Sequence, residues 1–373
     1  MNDNHGMQVR SLSSTEEIKR YIDFGDEVYR DNPNWIAPDT HHLTQLLSGD
    51  GGFGPQSQIQ PFLVEKDGRV LATVTAFTDE VYNRHWNEPI GHLFFFEALP
   101  NHDDAVKSLM NTACEWLQAR GCIAARLSFM GGIQMPLMFD GYDEVPTVFH
   151  TYNPSYYHNY IKNSGFATEC GVVQYQVEFT PELTERYKEM VKRASSGGIT
   201  LRAWDFDHLE KETKSFTRIA NETFKAHWGF MPLPEPVYQG LTFGLKDFLI
   251  SDFTLFAEAD GQVVGFVYSL PDLNQALHAM RGKNLEENFA EFQQRFKQID
   301  HGVLLIIGVL ESYRGRGVNL ALAAKSYLAM IERGYKTGSY TVVMDDNWPS
   351  RRTAEKLGCR VTRNFNVYRR DFG

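Results

Sequence analysis

The chain predicts an α/β protein of the α+β kind, built from two copies of one unit. Each copy is expected to be a mixed, mostly antiparallel central sheet flanked by helices. Three observations carry that expectation. Two apolar, β-prone runs joined at Asp-Gly occur twice, as "FLVEKDGRVLATV" at 62–74 and "LFAEADGQVVGFV" at 255–267, the pattern of a tight hairpin. An amphipathic helical stretch ending at Arg-Gly and followed by an apolar run also occurs twice, in "WLQARGCIAARLSF" and "MIERGYKTGSYTVVM". Each half then closes on an alternating strand, "GVVQYQVEF" in the first and "FNVYRRDF" in the second.

The elements follow in order. Glu65, Asp67, Gly68 and Val70 of the first hairpin correspond to Glu258, Asp260, Gly261 and Val263 of the second. Downstream, "NPSYYHNYIKNSGF" and "NWPSRRTAEKLGC" each open with Asn and a nearby Pro, suited to a first helical turn, and end at a Gly suited to a C-terminus. The second half carries a helical insertion at 273–298. The first half has an irregular stretch, "GGIQMPLMFDGYDEVPTVFH", before its last helix. A hairpin feeding a strand, helix and strand gives a mixed sheet. The expected boundaries are a first domain at 1–180, a helix and Ser-Gly joint at 181–198, and a second domain at 199–373.

Composition narrows the function classes. A hydrophobic fraction of 42% with 13% aromatics is that of a packed globular chain, and a formal net charge of −10 speaks against a nucleic-acid binder. The four cysteines show no C-x-x-C spacing, and the twelve histidines show no H-x-x-H or H-E-x-x-H spacing, so no metal site is expected. The opening residues lack a secretory pattern and no apolar run approaches the ~20 residues that span a bilayer, so a cytoplasmic protein with no membrane partner is expected.

One stretch points to a ligand. In "GVLESYRGRGVNLAL" a turn with two glycines and two arginines lies between an apolar strand and a helix. A helix N-terminus presents unpaired N–H groups and partial positive charge. Gly315 and Gly317 permit close backbone approach, and Arg314 and Arg316 offer charge-assisted bonds to phosphate oxygens. A pyrophosphate suits such a turn, and a solvated Arg-Gly turn is the alternative. A Walker loop is excluded because no Gly-Lys-Ser/Thr follows, and Leu320 occupies the place of the third glycine of a dinucleotide fingerprint.

The run "LLIIGVLESYRGRGVNLALAAKSYLAMIERGY", followed by "VVMDDNWPSRRTAEKLGC" and "FNVYRRDF", resembles the GNAT superfamily of acyl-CoA N-acyltransferases. The phosphate loop of that superfamily reads Arg or Gln, x, x, Gly, x, Gly or Ala. Arg314 and Gly317 match its first two fixed positions, and Asn319 stands at the last. The resemblance covers most of 199–373 and extends through the repeat to the first half, which looks like a degenerate copy. It implies acetyl-CoA or another acyl-CoA as co-substrate, its pyrophosphate on the N–H groups of Arg314, Gly315, Arg316, Gly317, Val318 and Asn319. It further implies a pantetheine arm alongside Val309 and Leu310, whose backbone N–H groups are candidate donors to the thioester carbonyl, and a polar contact from Asn347. Arg351 and Arg352 lie close in sequence as further phosphate candidates.

The implied reaction is transfer of an acetyl or short acyl group to a small-molecule or peptide amine by direct attack. Ala354 stands where many members of the superfamily carry the tyrosine acid. Glu258 and Glu311 are the candidate bases, and Trp228, Phe230 and Asn274 the candidate acceptor contacts. A regulatory protein that holds acyl-CoA without turnover is the alternative. At the place of the RGRG turn the first half reads "EALPNHDDAVKSLM", where Asp103 and Asp104 would repel a phosphate.

Overall fold

A computed structural model describes residues 6–49, 57–128, 135–281, 283 and 287–373. The chain divides into two compact units, one of residues 1–171 with 365–373 and one of residues 172–364.

The first unit contains β1 (Met7–Ser11), α1 (Thr15–Val28), α2 (Thr40–Leu47), β2 (Gln58–Lys66), β3 (Arg69–Thr78), α3 (Glu80–Trp86), β4 (Ile90–Ala98), α4 (Asp103–Gln118), β5 (Ala124–Leu127), β6 (Leu137–Met138), α5 (Tyr157–Asn163) and the start of β7 (Ala167–Glu178). The second contains the rest of β7, then α6 (Pro181–Ser196), β8 (Thr200–Ala203), α7 (Leu209–Phe224), α8 (Glu235–Gly244), β9 (Leu255–Ala259), β10 (Gln262–Pro271), α9 (Leu273–Ala279), α10 (Phe289–Phe296), β11 (His301–Val309), α11 (Val318–Glu332), β12 (Thr337–Met344), α12 (Trp348–Lys356) and the start of β13 (Arg360–Asp371). No helix among the described residues is long and apolar enough to cross a membrane.

The repeat read in the sequence is present in the geometry. Both Asp-Gly turns have positive φ at both residues, 51° and 82° at Asp67 and Gly68, 51° and 75° at Asp260 and Gly261. That conformation suits the right-handed twist of the flanking strands. Among the described residues each unit has one parallel pair, β4 with β5 and β11 with β12, beside antiparallel ones. In the second unit β8, β9, β10, β11, β12 and β7 follow in that order.

Two findings differ from the expected boundaries. The segment at 181–198 is mainly α6, a 16-residue helix capped by Thr180, whose Tyr187 is buried and donates to the Leu357 carbonyl at 2.6 Å. It belongs to the second unit's core rather than acting as a joint. The closing strands are also exchanged. From Val172 onward β7 pairs with β12, and from Phe365 onward β13 pairs with β6 and β5. Either strand has the alternating pattern that either sheet requires, so local sequence does not say which copy receives it. The inserted stretch at 273–298 holds two short helices, α9 and α10.

Packing in the second unit sorts by strand face. Phe216 of α7 meets Phe266 and Tyr268 of β10 at ring separations of 4.9 and 5.7 Å, with Trp204 and Tyr238 against the same ring. On the other face, Val264, Val267, Leu304 and Val309 join Ala321, Leu322 and Tyr327 of α11 in one buried cluster.

Candidate functional site

The site begins with a failure of pairing. β11 and β12 run side by side from His301 with Thr337 to Leu304 with Tyr340, and there the ladder stops. At the paired end the His301 ring lies between the Thr337 and Ser339 hydroxyls at 2.7 and 2.6 Å, and burial pushes its pKa down to about 4, so it is neutral. Past Tyr340 the register of β12 against β7 slips, and Val342 adopts φ +52°, a region that a β-branched residue rarely enters. β11 stays paired with β10 through Val309, but its β12-facing edge is unpaired beyond Leu304, leaving a slot lined by backbone N–H and C=O groups between the strand ends.

Backbone direction at the end of β11 selects the donor. The Leu310 N–H bonds the Val264 carbonyl at 2.9 Å and is already used. Successive N–H groups on a strand point to opposite edges, so the Val309 N–H points into the slot. Of the two expected donors, Leu310 is therefore occupied, and the Val309 N–H is left on the open edge. The Val309 carbonyl, on the same edge, accepts from Arg314 Nε at 3.3 Å.

The Arg-Gly turn follows. A short 3₁₀ turn at Glu311–Tyr313 leads into Gly315 and Gly317, with φ of +77° and +78° and nothing within 4 Å of where a Cβ would stand. Gly317 is the N-cap of α11 and makes no side-chain cap, so the first N–H groups of α11 have no capping side chain. Arg316 lies over the Tyr313 ring at 4.9 Å, and neither Arg314 nor Arg316 has a carboxylate partner among the described residues. Two buried polar atoms lack any partner there: Asn319 Oδ1 in the first turn of α11, and Thr223 Oγ1 in the last turn of α7. Thr223 stands against Gly308, where a Cβ would come within 2.8 Å of Thr223 Cγ2. Open space over the glycines, unneutralised guanidinium groups and orphaned polar atoms fit an anionic, extended ligand with polar groups along its length.

Residues 214–359 match the Acetyltransferase (GNAT) family. This segment is a GNAT-fold domain. Over 374 residues the chain is 25% identical to a protein of Caulobacter vibrioides named bacterial ceramide synthase, covering 98% of this chain and 97% of that one. A tandem GNAT protein from the clavulanic acid biosynthesis pathway superposes with a TM-score of 0.56 at 11% identity, covering 98% of this chain and 99% of the other. The GCN5-related glucosamine N-acetyltransferase region of a fungal multidomain β-N-acetylglucosaminidase superposes with a TM-score of 0.61 at 12% identity. There the match covers 97% of this chain and 38% of the larger protein. These likenesses cover both units with one fold.

Within the GNAT domain the sequence-derived candidates separate. Trp228 and Phe230 follow α7 and stand near the slot, both half-buried, with Phe230 against Phe224 at 5.9 Å. Asn274 lies at the other end: Pro271 pairs with Gly302, so α9 follows the closed end of the β11 and β12 pair. Glu258 is on β9, two strands from β11, and accepts from Arg202 Nε at 2.6 Å, while Arg202 also holds Glu212 at 2.8 Å. Glu311 is exposed in the turn before Arg314. Asn347 caps α12 through Ser350 N at 3.2 Å. Arg351 is bonded to Tyr175 and to the Asp345 carbonyl at 2.9 and 2.7 Å, whereas Arg352 is exposed. Ala354 lies on the buried face of α12 and has no ionisable group, so no acid comes from that position.

The corresponding place in the first unit is filled by the chain itself. Leu99 N bonds Leu71 O at 3.0 Å, as Leu310 N bonds Val264 O, which makes Ala98 the counterpart of Val309. The Ala98 N–H donates to Tyr157 Oη at 2.7 Å, and its carbonyl accepts from Tyr156 Oη at 2.7 Å. Tyr160 Oη bonds Leu99 O and His102 N, both at 2.9 Å. Tyr157 also donates to Glu97 at 2.7 Å, and burial pushes that carboxyl up to about 7. The tyrosine-rich segment "YNPSYYHNY" was visible in the sequence, but its targets, backbone groups 58 to 61 residues away, were not.

Proposed function

We propose that the chain is an acyl-CoA-dependent N-acyltransferase, with acyl-CoA held by the second unit and an amine as acceptor. The observation that carries this reading is the slot between β11 and β12, which ends at a glycine turn bearing two unneutralised guanidinium groups. In this reading the N–H groups of residues 314–319 hold the pyrophosphate. The Val309 N–H holds the thioester carbonyl oxygen as charge develops on it. The first unit serves as a scaffold, because its own tyrosines occupy the backbone groups that would otherwise face a ligand.

The sequence alone suggested an acetyl or short acyl group. The full-length relative named a ceramide synthase favours a longer one, since a ceramide is the fatty amide of a long-chain amino alcohol. Trp348, 55% exposed at the start of α12, offers apolar surface that suits such a substrate. The test is thiol release from acetyl-, octanoyl- and palmitoyl-CoA against a panel of amines that includes sphinganine and small polyamines. Turnover with any amine supports acyl transfer, and the preferred thioester reports the chain length. Binding of all three thioesters without release on any amine favours a sensor that holds acyl-CoA, the reading to which Ala354 lends weight.

A further inference from the structure

Resting on the acyltransferase reading, we propose that His227 is the base that takes a proton from the acceptor ammonium. Four features of the structure lead there.

The first is place. α7 packs on the face of β11 opposite α11, and its last turn reaches the end of the strand: Thr223 touches Gly308, and Arg314 Nη2 approaches the Thr223 carbonyl at 3.5 Å. His227 comes four residues after Thr223, in the turn that ends α7, and its backbone is fixed by bonds to Phe224 O at 2.7 Å and from Phe230 N at 3.0 Å. An anion on the α11 N-terminus would approach the slot from one face. His227 follows α7 on the other face, where the proposal has the amine arrive.

The second is tautomer. His227 Nδ1 lies 3.2 Å from the Trp228 carbonyl oxygen, which can only accept. The ring proton therefore sits on Nδ1, and Nε2 keeps its lone pair with no hydrogen-bond partner among the described residues.

The third is charge. Asp346, in the turn between β12 and α12, is the charged side chain whose field acts on the ring, and it favours the protonated form. Lys225 turns outward to Glu222 at 2.7 Å, and Arg314 is directed to the Val309 and Thr223 carbonyls. The Phe224 ring meets His227 edge-on at 5.7 Å, and burial holds the imidazole below its ordinary pKa. A base kept neutral through physiological pH, with an acid able to stabilise its cation, suits repeated protonation.

The fourth is comparison with the other candidates. Glu258 is held by Arg202 two strands away, and Glu311 is exposed in the turn before Arg314.

The proton ledger closes. One proton passes from R–NH3+ to His227 Nε2 and then to water. The neutral amine attacks the carbonyl carbon, the C–S bond breaks, and a second proton goes from nitrogen to the departing sulfur through solvent. The third remains on the amide.

The test has two arms on the full-length chain. In the ligand-free protein, NMR titration of the histidine rings should show His227 as the Nδ1–H tautomer with a pKa below the ordinary value, falling further in Asp346→Asn. An Nε2–H tautomer overturns the proposal even if no amine is ever turned over. With palmitoyl-CoA and sphinganine, or the best pair from the panel, His227→Gln should keep thioester binding and KM for the thioester. Its kcat should fall about 10²–10⁴-fold, with loss of the acid limb of the kcat/KM profile. Unchanged kcat and an unchanged acid limb overturn it. Absence of thioester binding by the unaltered protein would count against the acyltransferase reading itself, and the NMR arm would still decide the role of His227.

Discussion

At the scale of single residues, the contrast between Val309 and Ala98 separates the two units. Both are the last residue of a β4-type strand, and both turn an N–H away from the hairpin. In the first unit Tyr157 takes that N–H and also binds Glu97. Replacing Tyr157 with Phe would strand a buried donor, so Tyr157→Phe is expected to destabilise the first unit by about 1–3 kcal/mol, read from denaturant unfolding. Glu97 gives a pH signature. Its folded pKa of about 7 lies above the unfolded value near 4.5, so the native state holds the proton more tightly and stability falls as pH rises through that interval. Glu97→Gln should remove this loss and raise Tm at pH 8, by about 2–4 °C for each kcal/mol regained. His301 acts in the opposite sense: its folded pKa near 4 lies below 6.5, so stability is lost as pH falls between those values, and that acid-side loss should persist in Glu97→Gln. Of these residues the sequence singled out Val309 and the crowding of tyrosines. Their partners are distant in sequence, and composition does not locate hydrogen bonds.

At the scale of elements, the strand, glycine turn and helix at 301–332 were legible because their chemistry is local. Positive φ needs glycine, and a helix needs no distant partner to present its N-terminus. The slot was less so, because it depends on β12 leaving β11 at Val342, where valine gives no sign of φ +52°. His227 was overlooked for a similar reason: a histidine in a loop carries no spacing signal, and its orientation depends on the Trp228 carbonyl. Replacing Arg314 and Arg316 together with Gln should weaken acyl-CoA binding by about 10-fold or more at low salt. The deficit should shrink as salt rises, because much of it is electrostatic. A loss independent of salt would assign the two side chains a packing role instead.

At the scale of the whole molecule, the duplication was legible and the exchange of closing strands was not. The repeat is a pattern within each copy, whereas the exchange is a choice between two sheets that accept the same pattern. The exchange ties the C-terminus to the first unit: Tyr368 Oη lies 2.6 Å from His158 Nδ1, Arg369 bonds Glu88 at 2.6 Å, and Arg370 bonds Asn111 at 2.7 Å. Deleting residues 365–373 should therefore abolish amide-exchange protection in β4 and β5 while β9 to β12 remain protected. Loss confined to the second unit would contradict the exchange.

The central claim is that the second unit holds acyl-CoA on the Arg-Gly turn. It is tested most directly by calorimetric titration of the full chain with acyl-CoA, beside a Gly317→Glu variant whose folding is checked by its unliganded Tm and amide-exchange pattern. The account predicts saturable one-site binding by the unaltered chain and its loss in a folded Gly317→Glu variant, where a carboxylate would stand in the space above the turn. Equal binding by both proteins would contradict it.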